Sequence, residues 1–362
     1  MAVLPRQLVA ETLRHRIASG QLVAGQRLPT ELTLAEEFSV SRGTVRHALQ
    51  ILAKQGAVVL QRGVGCFVPA DVKQEEQSEI VFLHPLTEWP NVQTYSGMEL
   101  RAAELGYELC LRQLPAEKKA ALQIVEKLRR NRVRGVIFTP FIEPNYYDIN
   151  NRLLDLFEQC DLRYVVVDTP IACNGVLRGD FVGSNGYTAM REIVRTLIAL
   201  GHRRIGSIRV FAGVYSGDQR FRGIVDELNA HGIPIEPELH RVIDNVPLPE
   251  QGRRQIRDIL TLPEPPTAII ASHDNLVLNL FDELRRMGRS IPEDLSFFGF
   301  DDLYFTEPLG LSTVKQPWKV IGYRAVELLL TPSTARRQEF FPCEVIIRNS
   351  VSQHHSTQEV KK

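Results

Sequence analysis

Two groups of side chains in this 362-residue sequence have the types and spacing to do chemistry. The first lies near the amino terminus, where Arg42-Gly43-Thr44-Val45-Arg46-His47 is followed by Gln50, and Arg62-Gly63 comes soon after. Arginine forks onto phosphate oxygens and guanine edges, while threonine, histidine and glutamine supply shorter hydrogen bonds, so this set suits a nucleic-acid surface. The second is spread downstream as Asp168, Arg220, His273-Asp274, Asp301-Asp302 and Trp318. A carboxylate accepts from vicinal hydroxyls, a guanidinium donates in pairs, and an indole covers the apolar face of a sugar ring. The same acids and histidine also fit the acid/base groups of a sugar-processing enzyme. Against an enzyme, the chain has no Gly-x-Ser-x-Gly elbow, no His-Glu-x-x-His and no Gly-x-Gly-x-x-Gly after Ile80–Leu83. No catalytic residue, metal or cofactor is expected. The five cysteines, Cys66, Cys110, Cys160, Cys173 and Cys343, form no Cys-x-x-Cys pair and fit neither a disulfide framework nor a zinc site.

The elements that must position the first group are legible. A helix over 30–38, the tight turn Ser39-Val40-Ser41 and a second helix capped by Ser41 make a helix-turn-helix. In the second helix Val45, Ala48, Leu49 and Leu52 recur at i, i+3, i+4 and i+7 and form the buried face, which turns Arg42, Gly43, Thr44, Arg46, His47 and Gln50 outward. Strands at 57–60 and 66–68, joined through Gln61-Arg62-Gly63-Val64-Gly65, add a wing with a basic tip. The whole chain is neutral, yet the first seventy residues hold eight basic and four acidic side chains, leaving the head at +4 and the remainder at −4. A basic head on an acidic body points to an anionic partner for the head, namely double-stranded DNA.

Residues 70–78 are polar without a hydrophobic period and read as a linker. From Glu79, apolar runs at 80–83, 135–139, 164–168, 204–210, 268–272 and 295–300 alternate with amphipathic helical patterns. Such alternation indicates α/β architecture with parallel sheets, and its length calls for two lobes. The expected organisation is a DNA-binding domain over 1–69, a linker over 70–78, an effector-binding and dimerising domain over 79–351 and a polar tail over 352–362. The second group falls at strand ends, where open α/β sheets bind ligands. No apolar run is long enough for a membrane span and no secretory leader is evident, so a cytoplasmic protein is expected. That also disfavours the remaining alternative, a transport-type sugar-binding protein.

The head resembles the GntR family of regulators throughout 5–68, on Gly25-Gln26-Arg27-Leu28-Pro29-Thr30-Glu31, Val40-Ser41-Arg42-Gly43-Thr44-Val45-Arg46 and Gln61-Arg62-Gly63-Val64-Gly65. The resemblance implies a winged helix-turn-helix with Arg42, Thr44 and Arg46 on DNA and Arg62 and Gly63 in the wing. Leu32 and Gly43 depart from the common pattern. The body is similar to the effector domain of the LacI/GalR family, itself like type I periplasmic binding proteins, on Arg220-Phe221-Arg222-Gly223, Ile291-Pro292-Glu293-Asp294-Leu295-Ser296, Gly299-Phe300-Asp301-Asp302 and Leu311-Ser312-Thr313-Val314-Lys315-Gln316-Pro317. By that likeness Arg220 and Asp301 bind sugar hydroxyls, Trp318 lines the pocket and Asp168 joins them. His273 stands where asparagine is usual. The implied protein is a homodimeric repressor that a small polar effector, a pentose or related sugar, controls.

Overall fold

The computed structural model describes residues 5–18, 20–61, 64–69, 79–85, 92–173, 175–243 and 248–354. The chain divides into two compact units, Met1–Gln77 and Ser78–Lys362. The expected linker and the wing tip Arg62-Gly63 lie outside the described residues. Among the described residues, no helix is long and apolar enough to cross a membrane.

In the first unit, helices α1 (Pro5–Ala18), α2 (Glu31–Glu37) and α3 (Arg42–Lys54) precede a two-stranded hairpin, Val59–Gln61 with Gly65–Phe67. Local chemistry sets the helix starts. Thr30 Oγ1 accepts from Thr33 N at 3.2 Å, and Ser41 Oγ accepts from Thr44 N at 3.1 Å, each satisfying an N–H that the helix leaves free. Val45, Ala48, Leu49 and Leu52 are all buried, as their spacing requires, and pack with Val9, Leu13, Leu28 and Leu34. The wing begins at Val59 rather than Ala57, because Ala57 N returns to Leu52 O at 2.9 Å and closes α3 over Gly56, whose φ is 71°.

Among the described residues the second unit has two large sheets and two two-stranded ones. The first lobe orders its six strands as Gln338–Phe341, Asp180–Ser184, Tyr164–Val167, Gly135–Phe138, Glu79–His84 and Glu108–Gln113, every pair parallel. The second orders His240–Ile243, Ile205–Val210, Ala268–Ala271 and Ser296–Phe298, again parallel. Successive strand residues serve opposite cores: Val81 and Leu83 join one cluster, Ile80 and Phe82 the other. That is why these strands read as unbroken apolar runs. Glu108–Gln113 and His240–Ile243, at sheet edges with polar positions that are not fully buried, give no such run and are not among the expected strands.

The chain passes between the lobes three times. Strand Asp180–Ser184 of the first lobe leads into helix Gly186–Ala199, whose Ile193 and Leu197 pack in the second. Strand Thr313–Lys315 leads back to helix Trp318–Leu330, whose Ile321 and Leu329 pack in the first. Strand Gln338–Phe341 closes the first sheet before Glu344–Ile346 pairs with Thr313–Lys315. Two crossings are tied directly, Asn185 N donating to Phe341 O at 2.7 Å. The second lobe extends to His354, whose N donates to Leu200 O at 2.7 Å, while Ser352 N donates to Ser296 Oγ at 3.0 Å. Residues 352–354, assigned from sequence to a tail, are therefore a strap on this lobe; 355–362 lie outside the described residues.

Candidate functional site

In the head, α3 presents Arg42, Gly43, Arg46 and His47 as exposed residues, with Gln50 beyond them. Arg46 is held rather than loose. Its Nε and Nη2 donate to the two oxygens of Glu31 at 3.0 and 2.8 Å, fixing the guanidinium against α2 and holding the Glu31 carboxyl below its usual range. Thr44 is less available, since its hydroxyl lies 2.8 Å from Ser41 Oγ and its N–H is capped by the same atom. At Gly43 an added Cβ would meet only Ser41 Oγ, at 3.7 Å, so the surface there is open. Arg27, not singled out from sequence, bridges to Phe67, and its Nε would lie 2.8 Å from a Cβ at Gly65. It therefore runs across the base of the wing. Arg62 and Gly63 fall outside the described residues.

The carboxyl ends of the strands in both lobes face a cavity of about 200 Å³. The first lobe supplies Asp168, Pro170, Ser184 and Phe340, and the second supplies Tyr215, Ser216, Gln219 and Arg220. Arg220, on helix Tyr215–Ala230, is fixed by its neighbours. Its guanidinium stacks 3.8 Å from the Phe300 ring centroid, and Nη1 donates to Ser272 O at 2.8 Å. Gly186 makes room for it, since a Cβ there would come within 2.9 Å of Arg220 Cγ. Its buried Nε has no hydrogen-bond partner, and neither does Ser272 Oγ. Arg220 lines the cavity, so its unmet donor is one that an oxygen-rich ligand can satisfy. Thr169 Oγ1 and Ser216 Oγ, 2.9 Å apart, join the lobes beside the cavity.

Asp301 is joined to the cavity wall through two hydrogen bonds. Gln316 Nε2 donates to its Oδ1 at 2.6 Å, and Gln316 Oε1 accepts from Ser184 Oγ, which lines the cavity. Burial pushes the Asp301 carboxyl up to about 8 although Arg220 opposes the rise; Asp274 and Asp168 reinforce it. Asp301 has φ 122° and Asp168 φ 72°, conformations that side chains other than glycine's rarely adopt and that aim a residue off the end of its strand. His273 caps helix Asp274–Arg286, its Nδ1 accepting from Leu276 N at 3.2 Å. Burial, with Arg220 nearby, lowers its pKa to about 4, so the ring is neutral and its proton sits on Nε2.

Two expectations are corrected by this geometry. Asp274 cannot meet a ligand, because it is fully buried and its oxygens already accept from Thr313 Oγ1 at 2.9 and 3.1 Å and from Leu303 N at 3.0 Å. It buttresses the turn that carries Asp301, and Gly299 must lack a side chain because a Cβ would lie 2.0 Å from Asp274 Oδ1. Trp318 is not part of the cavity lining. It opens helix Trp318–Leu330 and packs on the first lobe's core, its buried indole N–H without a partner. The cavity wall instead carries Phe340, with Ser184, Tyr215, Ser216 and Gln219, none of which the sequence singled out. Ser184 and Phe340 lie on strands that the apolar pattern does not reveal, and Tyr215, Ser216 and Gln219 on the first turns of a helix that follows a strand.

Comparisons with known proteins agree with these two units. Residues 5–68 match the bacterial regulatory proteins of the gntR family, and residues 194–351 match the periplasmic binding protein-like domain. The chain is 28% identical over 375 aligned positions to the arabinose metabolism transcriptional repressor of Geobacillus stearothermophilus, covering 97% of this chain and 98% of that protein. Among solved structures, a regulatory protein of the LacI family from Chloroflexus aggregans superposes with TM-score 0.66 at 23% identity, covering 77% of this chain and 100% of the other. A LacI family transcriptional regulator from Enterococcus faecium with bound ribose gives TM-score 0.61 at 20% identity, covering 76% and 100%. The chain joins a GntR-type winged helix-turn-helix head to a two-lobed, periplasmic-binding-protein-like effector domain, and it is a DNA-binding transcriptional regulator rather than an enzyme.

Proposed function

We propose that this regulator is a homodimeric repressor in the cytoplasm, released from its operator when a neutral sugar of monosaccharide size enters the cleft. One observation carries the reading: Asp168 from the first lobe and Arg220 from the second face the same cavity of about 200 Å³. That volume is below the roughly 300–1,000 Å³ of pockets for drug-sized ligands. A ligand bridging an acceptor on one lobe and a donor on the other binds the closed arrangement better than the open one, and only such differential affinity shifts a two-state equilibrium. Asp301 and the Nε2–H of His273 support the same site from behind Arg220. Arg42, Arg46, His47 and the basic wing tip Arg62-Gly63 are the proposed DNA contacts, with Gly43 leaving the backbone open and Thr44 holding the helix start. In a dimer the heads must match half-sites one helical turn apart, about 34 Å, so a modest shift of one body against the other breaks register.

The arabinose repressor among the relatives makes L-arabinose the first compound to try. Thermal shift against pentoses, hexoses and alditols identifies the ligand, since a compound that binds only the folded state raises the melting point. Gel shift on the promoter region upstream of its own gene then tests release. Binding without turnover and loss of the DNA complex are expected. A protein that no sugar stabilises, or one whose DNA complex is indifferent to the sugar it binds, overturns the proposal.

A further inference from the structure

We infer that Phe340 is the specificity wall of the cleft: its phenyl ring takes the C–H face of a cyclic sugar, the task that sequence likeness assigns to Trp318. This rests on the sugar-binding reading above. Phe340 is 38% exposed and lines a cavity whose other walls carry both aromatic and hydrogen-bonding side chains. An open aromatic ring among Asp168, Ser184, Ser216 and Arg220 creates an amphipathic pocket, apolar on one side and rich in hydrogen-bonding groups on the others. Sugar rings have that same division, with C–H groups on a face and hydroxyls around the rim. An acyclic polyol presents no such face.

The ring is also held in place. Phe340 pairs with Gly183 across the parallel strands, and the Phe181 ring fills the space that a side chain at Gly183 would take. The buried Phe181 backs it, with ring centroids 5.1 Å apart at 47°. From the other lobe Tyr215 stands 6.5 Å away at 31°, too close for a ring to slide between the two. The aromatic pair therefore makes one corner against which a single ligand face rests, and closure of the lobes completes it. A preset aromatic wall costs the ligand little ordering on binding. Trp318, packed on the first lobe's core and outside the lining, cannot do this work.

The test is isothermal titration of L-arabinose, D-xylose, D-ribose and D-galactose, each beside its alditol, into full-length wild type, Phe340→Ala, Phe340→Tyr and Trp318→Phe. Wild type should prefer the cyclic sugar that it binds over the matching alditol. Phe340→Ala should weaken that sugar about tenfold or more and bring the sugar-to-alditol ratio towards one, whereas Phe340→Tyr restores both to within about threefold. Trp318→Phe should stay within about twofold of wild type. The ratio separates a lost stacking face from general damage, which would weaken both compounds alike. An unchanged ratio in Phe340→Ala, or a collapse of the ratio in Trp318→Phe alone, overturns the inference while leaving the sugar reading intact. If wild type binds none of the eight compounds, the sugar reading fails and this inference falls with it.

Discussion

The raised pKa of Asp301 makes effector binding depend on pH in a direction that can be worked out. With the carboxyl at about 8 in the empty cleft, only about a tenth is ionised at pH 7, about a hundredth at pH 6 and about nine-tenths at pH 9. A ligand whose hydroxyls donate to Ser184, and so reach this group through Gln316, selects the carboxylate. The apparent affinity then scales with the competent fraction, so Kd should tighten about tenfold between pH 6 and 7 and nearly tenfold again between pH 7 and 9. About one proton should be released per ligand at pH 7. His273, held near 4, is silent in this window. The stability of the empty protein should move the other way. Below the ordinary aspartate value of 3.8 both states hold the proton; as pH rises from there to about 8 the unfolded chain has lost it and the folded cleft has not, so stability falls. Titration calorimetry at pH 6 to 9, in buffers of differing ionisation enthalpy, measures both affinity and proton release. Asp301→Asn, fixed in the neutral form, should bind weakly at every pH. A wild-type Kd that is flat from pH 6 to 9 with no proton release would refute the argument.

Other outcomes follow from single contacts. Arg46→Ala should weaken operator binding and lower the slope of log affinity against log salt by about one, with sugar affinity untouched; fluorescence anisotropy at several salt concentrations reads it. Asp274→Ala leaves the buried donors Thr313 Oγ1 and Leu303 N without their acceptor and should cost about 1–3 kcal/mol in urea unfolding of the effector domain. Gly299→Ala forces a methyl to within 2.0 Å of Asp274 Oδ1 and should destabilise by at least about 1–3 kcal/mol, while Gly43→Ala, with open space, should leave the fold unharmed. Ser41→Ala removes the cap of α3 and should cost the head about 1 kcal/mol, measured by thermal unfolding followed by circular dichroism.

The legible parts of this protein were those in which one period controls one face. Val45, Ala48, Leu49 and Leu52 could only be buried together, so the outward side of α3 followed from them. Likewise the central strands were found because both their faces are covered. The side chains at strand ends were harder. Asp274 and Asp301 look alike in sequence, each an acid just past an apolar run, yet one is a fully buried buttress and the other, on a left-handed backbone, is linked through Gln316 to the cavity wall at Ser184. No periodicity encodes that difference. Phe340 was hidden for a related reason: it lies on a strand completed by a distant part of the chain, and only the pairing with Gly183 reveals which of two adjacent phenylalanines faces the cavity.

The triple crossing between lobes governs how the protein can be made. The first lobe draws its edge strand and one covering helix from residues 318–341, which leave the ribosome after nearly all of the second lobe. Its core cannot close until synthesis is almost finished, so Ile80, Phe82 and Val182 must wait for Ile321 and Leu329. A nascent chain stalled at about residue 310 would expose that apolar face and need a chaperone, although the head at its front has every residue of its own core. The head is thus complete early in translation, and the body that controls it last.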